Sequence, residues 1–263
     1  MRRTCGRIGY NLLLLSFMFI FFTESDQTLG AELRIDTIAV TPFGFLTADG
    51  KPTGMMYEIA NKIAEQAGLP HSNTVVPYAR TIIDIQSGNA DIVLRIGNDK
   101  LGEVAIPVAT VVSMPIIIVS TNKNHFNNLS EMQGLTVGVL RGGQFDNDFD
   151  NNSNIIKYAV NDYVQIIKML AAGRLDAGIG TSVGIYYSSL QAGITPDKLG
   201  QSLLIGRRDF VLYMSKKTAN PQTIEALREA TLKLSANGQI KNIIDKYMSD
   251  FNWDLQDVPL KAR

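Results

Sequence analysis

The chain reads as an α/β fold with a largely parallel sheet, and three observations carry this reading. After residue 32, short β-rich apolar runs take turns with apolar stripes of helical period. The stripes stop at glycines, Gly68, Gly88 and Gly173, which is how helices commonly end. The single cysteine, Cys5, lies ahead of this region, so the rest must be held by an ordinary hydrophobic core.

Each element can be justified in order. Residues 34–40 are expected as the first strand, followed by a turn-rich loop over 41–53. Met56, Ile59, Ala60, Ile63, Ala64 and Ala67 then recur at offsets of three and four, one apolar face of a helix starting at Met55 and ended by Gly68. A strand over 74–76, a short helix over 79–86 closed by Ser87-Gly88, and a strand over 91–94 complete a small layer. Residues 111–119 are apolar and β-branched with Pro115 inside. A proline donates no ladder hydrogen bond, so this run is expected as a long edge or crossover strand rather than a central one.

Past a polar stretch at 121–128, residues 136–140 form a strand closed by Arg141-Gly142-Gly143, and 155–160 form another. Val164, Ile167, Leu170 and Ala171 mark one side of the next helix, which ends at Gly173, and 175–179 reads as a buried strand. Residues 209–215 match the earlier crossover in apolar character. Asn220 and Pro221 then open a helix, a side-chain cap followed by a residue whose missing donor costs nothing there. Its stripe is Ile224, Leu227, Thr231 and Leu234. After Gly238 a last short helix carries Ile240, Ile243, Ile244 and Tyr247.

The N-terminus sets the compartment. Arg2, Arg3 and Arg7 precede a nearly unbroken apolar run over 10–22, the layout of a secretory signal peptide. The run is about 13 residues, short of the roughly 20 that a bilayer-spanning helix needs. Cleavage is expected between Ser25 and Ala31, and Thr28 suits a cut after Gly30. Removing residues 1–31 takes away three arginines with Glu24 and Asp26, which leaves 22 basic against 23 acidic groups. No basic field points to nucleic acid. His71 and His125 stand far apart without cysteines or paired carboxylates near them, so no metal site and no cofactor is expected. The absence of cysteine in the mature chain favours a Gram-negative periplasm.

Several phrases, in order, resemble the family 3 extracellular solute-binding proteins, whose best-known members serve ABC importers of polar amino acids. They are Asp49-Gly50-Lys51 with Gly54; Ser87-Gly88-Asn89-Ala90-Asp91-Ile92; Leu135-Thr136-Val137-Gly138-Val139; Ala172-Gly173-Arg174-Leu175-Asp176-Ala177; and Asn237-Gly238-Gln239-Ile240 before Lys246-Tyr247. The resemblance covers residues 33 to 250. It implies a periplasmic-binding-protein-like II fold, two α/β lobes joined by two crossover strands, with the ligand between the lobes. The corresponding division is 32–114 for the first part of lobe one, 115–120 for a hinge strand, 121–207 for lobe two, and 208–263 for the second hinge strand and the return to lobe one. A monomer is favoured.

In open α/β sheets ligands lie at the carboxyl ends of strands. The candidates there are Phe43 and Phe45, where the family places an aromatic on the ligand, and Tyr78 with Arg80; packing in the core or a loop is the alternative for the three aromatics. Amino-acid-binding members carry a threonine and then an arginine that clamps the α-carboxylate in the segment that here runs from Arg95 to Lys100. This chain lacks that pair. Lys100 takes the place, as a point charge rather than a planar fork, and Arg95 reaches the cleft from the strand end. In lobe two, the turn Arg141-Gly142-Gly143-Gln144 offers backbone donors and a basic group. Members usually hold the α-ammonium with an acid five positions after the aspartate matching Asp176, and that position is Thr181 here. The altered contacts point to an anionic or neutral polar ligand, although Glu58 or Asp209 could replace the missing acid. Asp84, Asp91 and Asp176 are expected to satisfy backbone at element ends.

The expected function is capture of a small polar or anionic solute, an amino acid or related carboxylate, for an inner-membrane ABC permease. The alternatives are a periplasmic sensor that presents the closed cleft to a receptor, and, third, a dehydratase-like enzyme with Glu58 as its acid.

Overall fold

The computed structural model describes Met1 and residues 32–121, 124–194 and 198–249; the rest of the expected leader lies outside the described residues. In chain order the strands are β1 (Leu33–Ile38), β2 (Phe45–Leu46), β3 (Pro52–Thr53), β4 (His71–Val76), β5 (Ile92–Ile96), β6 (Ala105–Val119), β7 (Thr136–Leu140), β8 (Ile156–Val160), β9 (Ala177–Thr181) and β10 (Leu203–Ser215). The helices are α1 (Met55–Gln66), α2 (Arg80–Ser87), α3 (Asp99–Val104), α4 (Asn147–Asp150), α5 (Tyr163–Ala171), α6 (Ser182–Gln191), α7 (Pro221–Ala236) and α8 (Gln239–Met248).

Eight strands form one sheet in the order β4-β1-β5-β10-β6-β9-β7-β8, and β2 and β3 make a separate hairpin. The sheet divides into two lobes with the same wiring. In each, the first local strand (β1 or β7) sits between the second (β4 or β8) and the third (β5 or β9), all parallel, and a crossing strand closes the inner side antiparallel. Helices α1, α7 and α8 pack together in lobe one, with α2 and α3 forming a second group on its sheet, and α5 and α6 pack in lobe two. Among the described residues, the first strand and the last two helices thus belong to the same lobe.

Strands β6 and β10 cross between the lobes and pair antiparallel from Leu203↔Ile118 to Ser215↔Ala105. Both begin six residues before the run seen in the sequence. In its first part β6 has β10 as its only ladder partner, and β9 joins its other side from Ile116 on. Pro115 stands one residue before that second ladder begins, where its missing N–H is not needed.

The sequence G-x-x-D directly after a helix occurs at Gly88–Asp91 and at Gly173–Asp176, and these two copies perform one task. Each glycine adopts a positive φ, 74° and 67°, and turns the chain out of a helix. Each aspartate then clasps the start of the neighbouring central strand. Asp91 accepts from Arg34 N (2.8 Å) and its own N–H bonds Arg34 O (2.8 Å); Asp176 accepts from Thr136 N (2.8 Å) and its N–H bonds Thr136 O (2.9 Å). Asp91 also takes the Arg34 side chain in a two-pronged pair, at 3.0 Å from Nε and 2.7 Å from Nη2. Burial works against its charge, but these bonds hold the carboxyl below its usual range.

The stripe of α1 is buried as its spacing predicts, from Met55 through Ala64. In α5 the buried face is Tyr163, Ile166, Ile167 and Leu170, so Val164 and Ala171 are not part of it. Glycines on the facing strands cause this rotation. A Cβ on Gly178 would stand 2.3 Å from Ile166 and one on Gly180 would stand 2.2 Å from Tyr163, so only glycine admits these two side chains. The caps of α7 match expectation, with Asn220 accepting from Gln222 N and Thr223 N ahead of Pro221.

Asp91→Ala and Asp176→Ala should each lower the free energy of unfolding by about 2 kcal/mol, the scale of charge-assisted hydrogen bonds lost from a partly buried carboxylate. Urea titration measures it, and a loss below ~0.5 kcal/mol for both would contradict the clasp.

Candidate functional site

The strand order reverses at β1 in one lobe and at β7 in the other, which places the crevice outside the carboxyl ends of these strands. The loops there are residues 39–44, 77–79 and 97–98 from lobe one, and 141–146 and 161–162 from lobe two. The lobes touch through two of them. Asn98 Nδ2 donates to Gly142 O at 2.7 Å, Gln144 Nε2 donates to Asp99 Oδ2 at 2.8 Å, and Asp99 N donates to Gln144 Oε1 at 2.9 Å. Asn98 is held for this role because its Oδ1 caps α3 by accepting from Leu101 N at 2.8 Å. Gly142 turns the chain at φ 78°, a conformation that favours glycine, and an added Cβ would only touch the Ala79 methyl, at 3.9 Å.

A cavity of about 650 Å³ lies along this seam, and Lys100, Arg141, Gly142 and Gly143 line it together with Ala79 and Ile82. Four of the residues singled out from the sequence thus meet in one place. Lys100 is exposed and has no ion-pair partner among the described residues, while Arg141 reaches back only to Asn161 Oδ1 (3.5 Å) and Ala159 O (3.4 Å). A second cavity, of about 710 Å³, opens between Thr41, Gly44 and Phe45 of lobe one and Asp162, Gln165 and Lys168 of lobe two. Both volumes suit small solutes.

The other candidates lie deeper. Phe43 is buried against Phe210, ring centroids 4.8 Å apart, and its carbonyl accepts from Met56 N (2.8 Å) at the start of α1. Thr181 is buried as the cap of α6, its Oγ1 accepting from Gly184 N at 3.2 Å. Tyr78 covers Arg95, whose guanidinium carbon lies 3.8 Å from the ring centroid. Arg95 is fully buried, donating from Nη1 to Tyr78 O (2.9 Å) and Thr81 Oγ1 (2.6 Å) and from Nε to Ile96 O (3.0 Å). Glu58 stands apart from this group, bound by Lys246 (2.8 Å) and Tyr247 (2.6 Å). Burial, and then the bond to Glu58, push Tyr247 up to about 12.

Arg80 pairs with Asp84 at 2.9 Å on α2, and Asp84 faces Asp36 of β1. Burial pushes the Asp36 carboxyl up to about 7, the neighbouring Asp84 adds to the effect, and Arg80 opposes it. Tyr163 is buried across the seam with its hydroxyl accepting from Thr181 N (3.3 Å), and burial raises its ionisation well above the usual range.

Residues 33–250 match the model of the bacterial extracellular solute-binding proteins, family 3. The chain belongs to this family. Among solved structures, the fold of this family 3 protein is similar to that of a substrate-binding protein of an ABC uptake transporter from Streptococcus pneumoniae with bound histidine (TM-score 0.72, 18% identity, covering 85% of this chain and 94% of that one). It is similar to an ancestral arginine-binding protein bound to arginine (0.71, 18%, 83% and 99%). It is also similar to a histidine kinase sensor domain with similarity to periplasmic binding proteins (0.71, 16%, 83% and 96%). These likenesses establish the type II periplasmic-binding-protein fold. No helix among the described residues is long and apolar enough to cross a membrane.

Sequence reading of the family 3 protein missed Tyr163 at the crevice end of β9, and it placed Gln144 in the turn after β7 without its bonds to Asp99. Asn98-Asp99 did carry a signal, since an Asn followed by an acid in the first turn marks a helix start.

The raised Asp36 gives a testable pH dependence. Its folded value of about 7 lies above the unfolded one of 3.8, so between these values the folded chain holds a proton that the unfolded chain releases. Stability from this group is therefore full below pH 4, falls as pH rises toward 7, and stays low above it. Asp36→Asn should melt roughly 5 °C above the wild type at pH 8, a scale of ~2 kcal/mol in a domain of this size, and equal it near pH 4. Equal midpoints at pH 8 would refute the assignment.

Proposed function

We propose that this chain captures a small polar or anionic solute, an amino acid or related carboxylate, between its lobes in the periplasm and delivers it as a monomer to an inner-membrane ABC importer. On this reading residues 1–31 are the export signal, 32–114 and 208–263 form lobe one with its returning strand, and 121–207 form lobe two. The observation that carries it is the seam cavity of about 650 Å³. Basic and glycine residues of opposite lobes line it, and the Asn98, Asp99 and Gln144 hydrogen bonds that span the lobes bound it. Such bonds exist only when the lobes are together, so they bias closure, and a solute that contacts both lobes adds to the same bias.

A second reading has a specific observation in its favour. The likeness to a histidine kinase sensor domain supports presentation of the closed cleft to a receptor. The dehydratase-like reading has less support, because Glu58, the acid it calls upon, is engaged by Lys246 and Tyr247.

The test is thermal unfolding of the mature chain, stripped of solute by unfolding and refolding, against amino acids, organic acids, polyamines and sugars. A specific solute at about 100 times its Kd should stabilise by about 2.7 kcal/mol and raise the midpoint accordingly. Gln144→Ala should keep the solute-free midpoint within about 1 °C and weaken the bound solute roughly tenfold, the equivalent of one or two lost hydrogen bonds. No shift with any solute would overturn the proposal.

A further inference from the structure

Helix α5 has two working faces. Tyr163, Ile166, Ile167 and Leu170 are pressed against the sheet, and the glycines of β9 fix that rotation. The same rotation turns Val164 and Lys168, one helical turn apart, toward the cavity of about 710 Å³ between the lobes, with Met169 beside them. Lobe one supplies the opposite wall, with Phe45 and Leu46 of the β2–β3 hairpin and Val75 of the edge strand β4. Tyr158 of the other edge strand, β8, lines the same space. Leu46 is 61% exposed and Tyr158 is 49% exposed. Scattered singly such groups carry no message, but here they share one concave surface that both lobes build.

The charges of this cavity are unevenly placed. Lys168, in the last turn of α5, and Arg174, just beyond the helix, both line it and are exposed. Neither side chain makes a hydrogen bond or ion pair among the described residues. Asp162 is the one acid among the described lining residues. It caps the other end of α5, accepting from Gln165 N at 2.7 Å, and stands six residues before Lys168, about 9 Å along the helix axis. Ser188 of α6 also lines the cavity, and although only 1% exposed it holds its Oγ buried without a partner. A native buried hydroxyl in that state marks a place for a further polar group. An apolar wall, two cations not engaged by any carboxylate and a spare hydroxyl together complement an anion with an apolar body.

We infer that this cavity is a second solute site of the crevice, which takes an amphipathic carboxylate with a short aliphatic or aryl body. The body lies against Phe45, Leu46, Tyr158 and Val164, and the carboxylate meets Lys168 and Arg174. The site is separate from the seam cavity of Lys100 and Arg141, with which it shares no lining residue, so the two stand or fall independently. Closure brings the hairpin of lobe one over α5 of lobe two, so a molecule held here favours the closed state.

The experiment uses the mature chain, stripped of solute, at fixed low ionic strength. Butanoate, hexanoate, phenylacetate, succinate, hexanamide and hexylamine are titrated by calorimetry. The same probes are run on Lys168→Gln, Arg174→Gln and Leu46→Ser, and on Lys100→Gln as a control in the seam. All four positions are exposed, and far-ultraviolet circular dichroism verifies that each variant keeps the fold. The expected result is one saturable site for hexanoate, with affinity rising about fourfold per methylene from butanoate. Hexanamide, hexylamine and succinate should bind roughly tenfold more weakly or worse. Hexanoate should weaken about fivefold or more in Leu46→Ser and in at least one of the two cation variants, and stay unchanged in Lys100→Gln. The site is overturned by absence of hexanoate and phenylacetate binding, by hexanamide or hexylamine binding as tightly as hexanoate, or by unchanged hexanoate affinity in both cation variants. Loss of hexanoate binding in Lys100→Gln alone would also overturn it, and would leave the solute-binding reading of the seam standing.

Discussion

The antiparallel ladder between β6 and β10 is the constraint on which the rest depends. It runs from Leu203↔Ile118 to Ser215↔Ala105 and carries the chain out of lobe one and back. Because the same two strands close the inner side of both lobes, the carboxyl ends of β1 and β5 come to face those of β7 and β9 across the crossing. The crevice follows from that. Register shifts interrupt the ladder between Leu204 and Gly206 and again near Phe210 and Leu212, and irregular ladders bend and twist more readily than regular ones. A two-lobed binding protein needs a joint of this kind, since closure must change the angle between two rigid bodies without unfolding either.

Each lobe is made rigid by a short-range device used twice. The G-x-x-D clasp ends a helix, turns the chain at a positive φ, and fastens the third strand to the first through one carboxylate. Glycines without a turn do a different task in lobe two. Gly178 and Gly180 remove side chains from β9 so that Ile166 and Tyr163 can settle on it, which fixes the face that α5 turns to the sheet. This draws the Tyr163 hydroxyl to the amide of Thr181, at the end of the strand that faces the crevice.

Charge is distributed unevenly between surface and interior. Most ion pairs lie at the surface, where each contributes little. The interior holds Asp36 against Asp84, Asp91 in its clasp, and Arg95 alone. Asp91 is closed on itself by its bonds to Arg34, while Asp36 keeps one buried oxygen without a partner. Arg95 likewise keeps Nη2 without an acceptor, although Nε and Nη1 are bound by Ile96 O, Tyr78 O and Thr81 Oγ1.

Much of this was determined by the sequence alone. The alternation of strands and stripes, the positive-φ glycines and the Asn220-Pro221 cap are local matters of period and backbone conformation, and they predicted an α/β fold with two crossing strands. Helices α3, α4 and α6 escaped, for identifiable reasons. Helix α3 is a turn and a half, α4 is shorter still, and α6 buries Ser182, Gly184, Ser188 and Ser189 along with Val183 and Ile185, so small polar residues on its inner face erase the apolar stripe. At the site, Lys100, Arg141, Gly142 and Gly143 were legible because they follow strand ends. Only the tertiary structure decided that Phe43 belongs to the core, that Asp99 and Gln144 join the lobes, and that Arg208 and Tyr213 meet at Gly97. Those groups come from segments about 45 to 120 residues apart, and their meeting depends on strand order and on the path of β10, which no local period encodes.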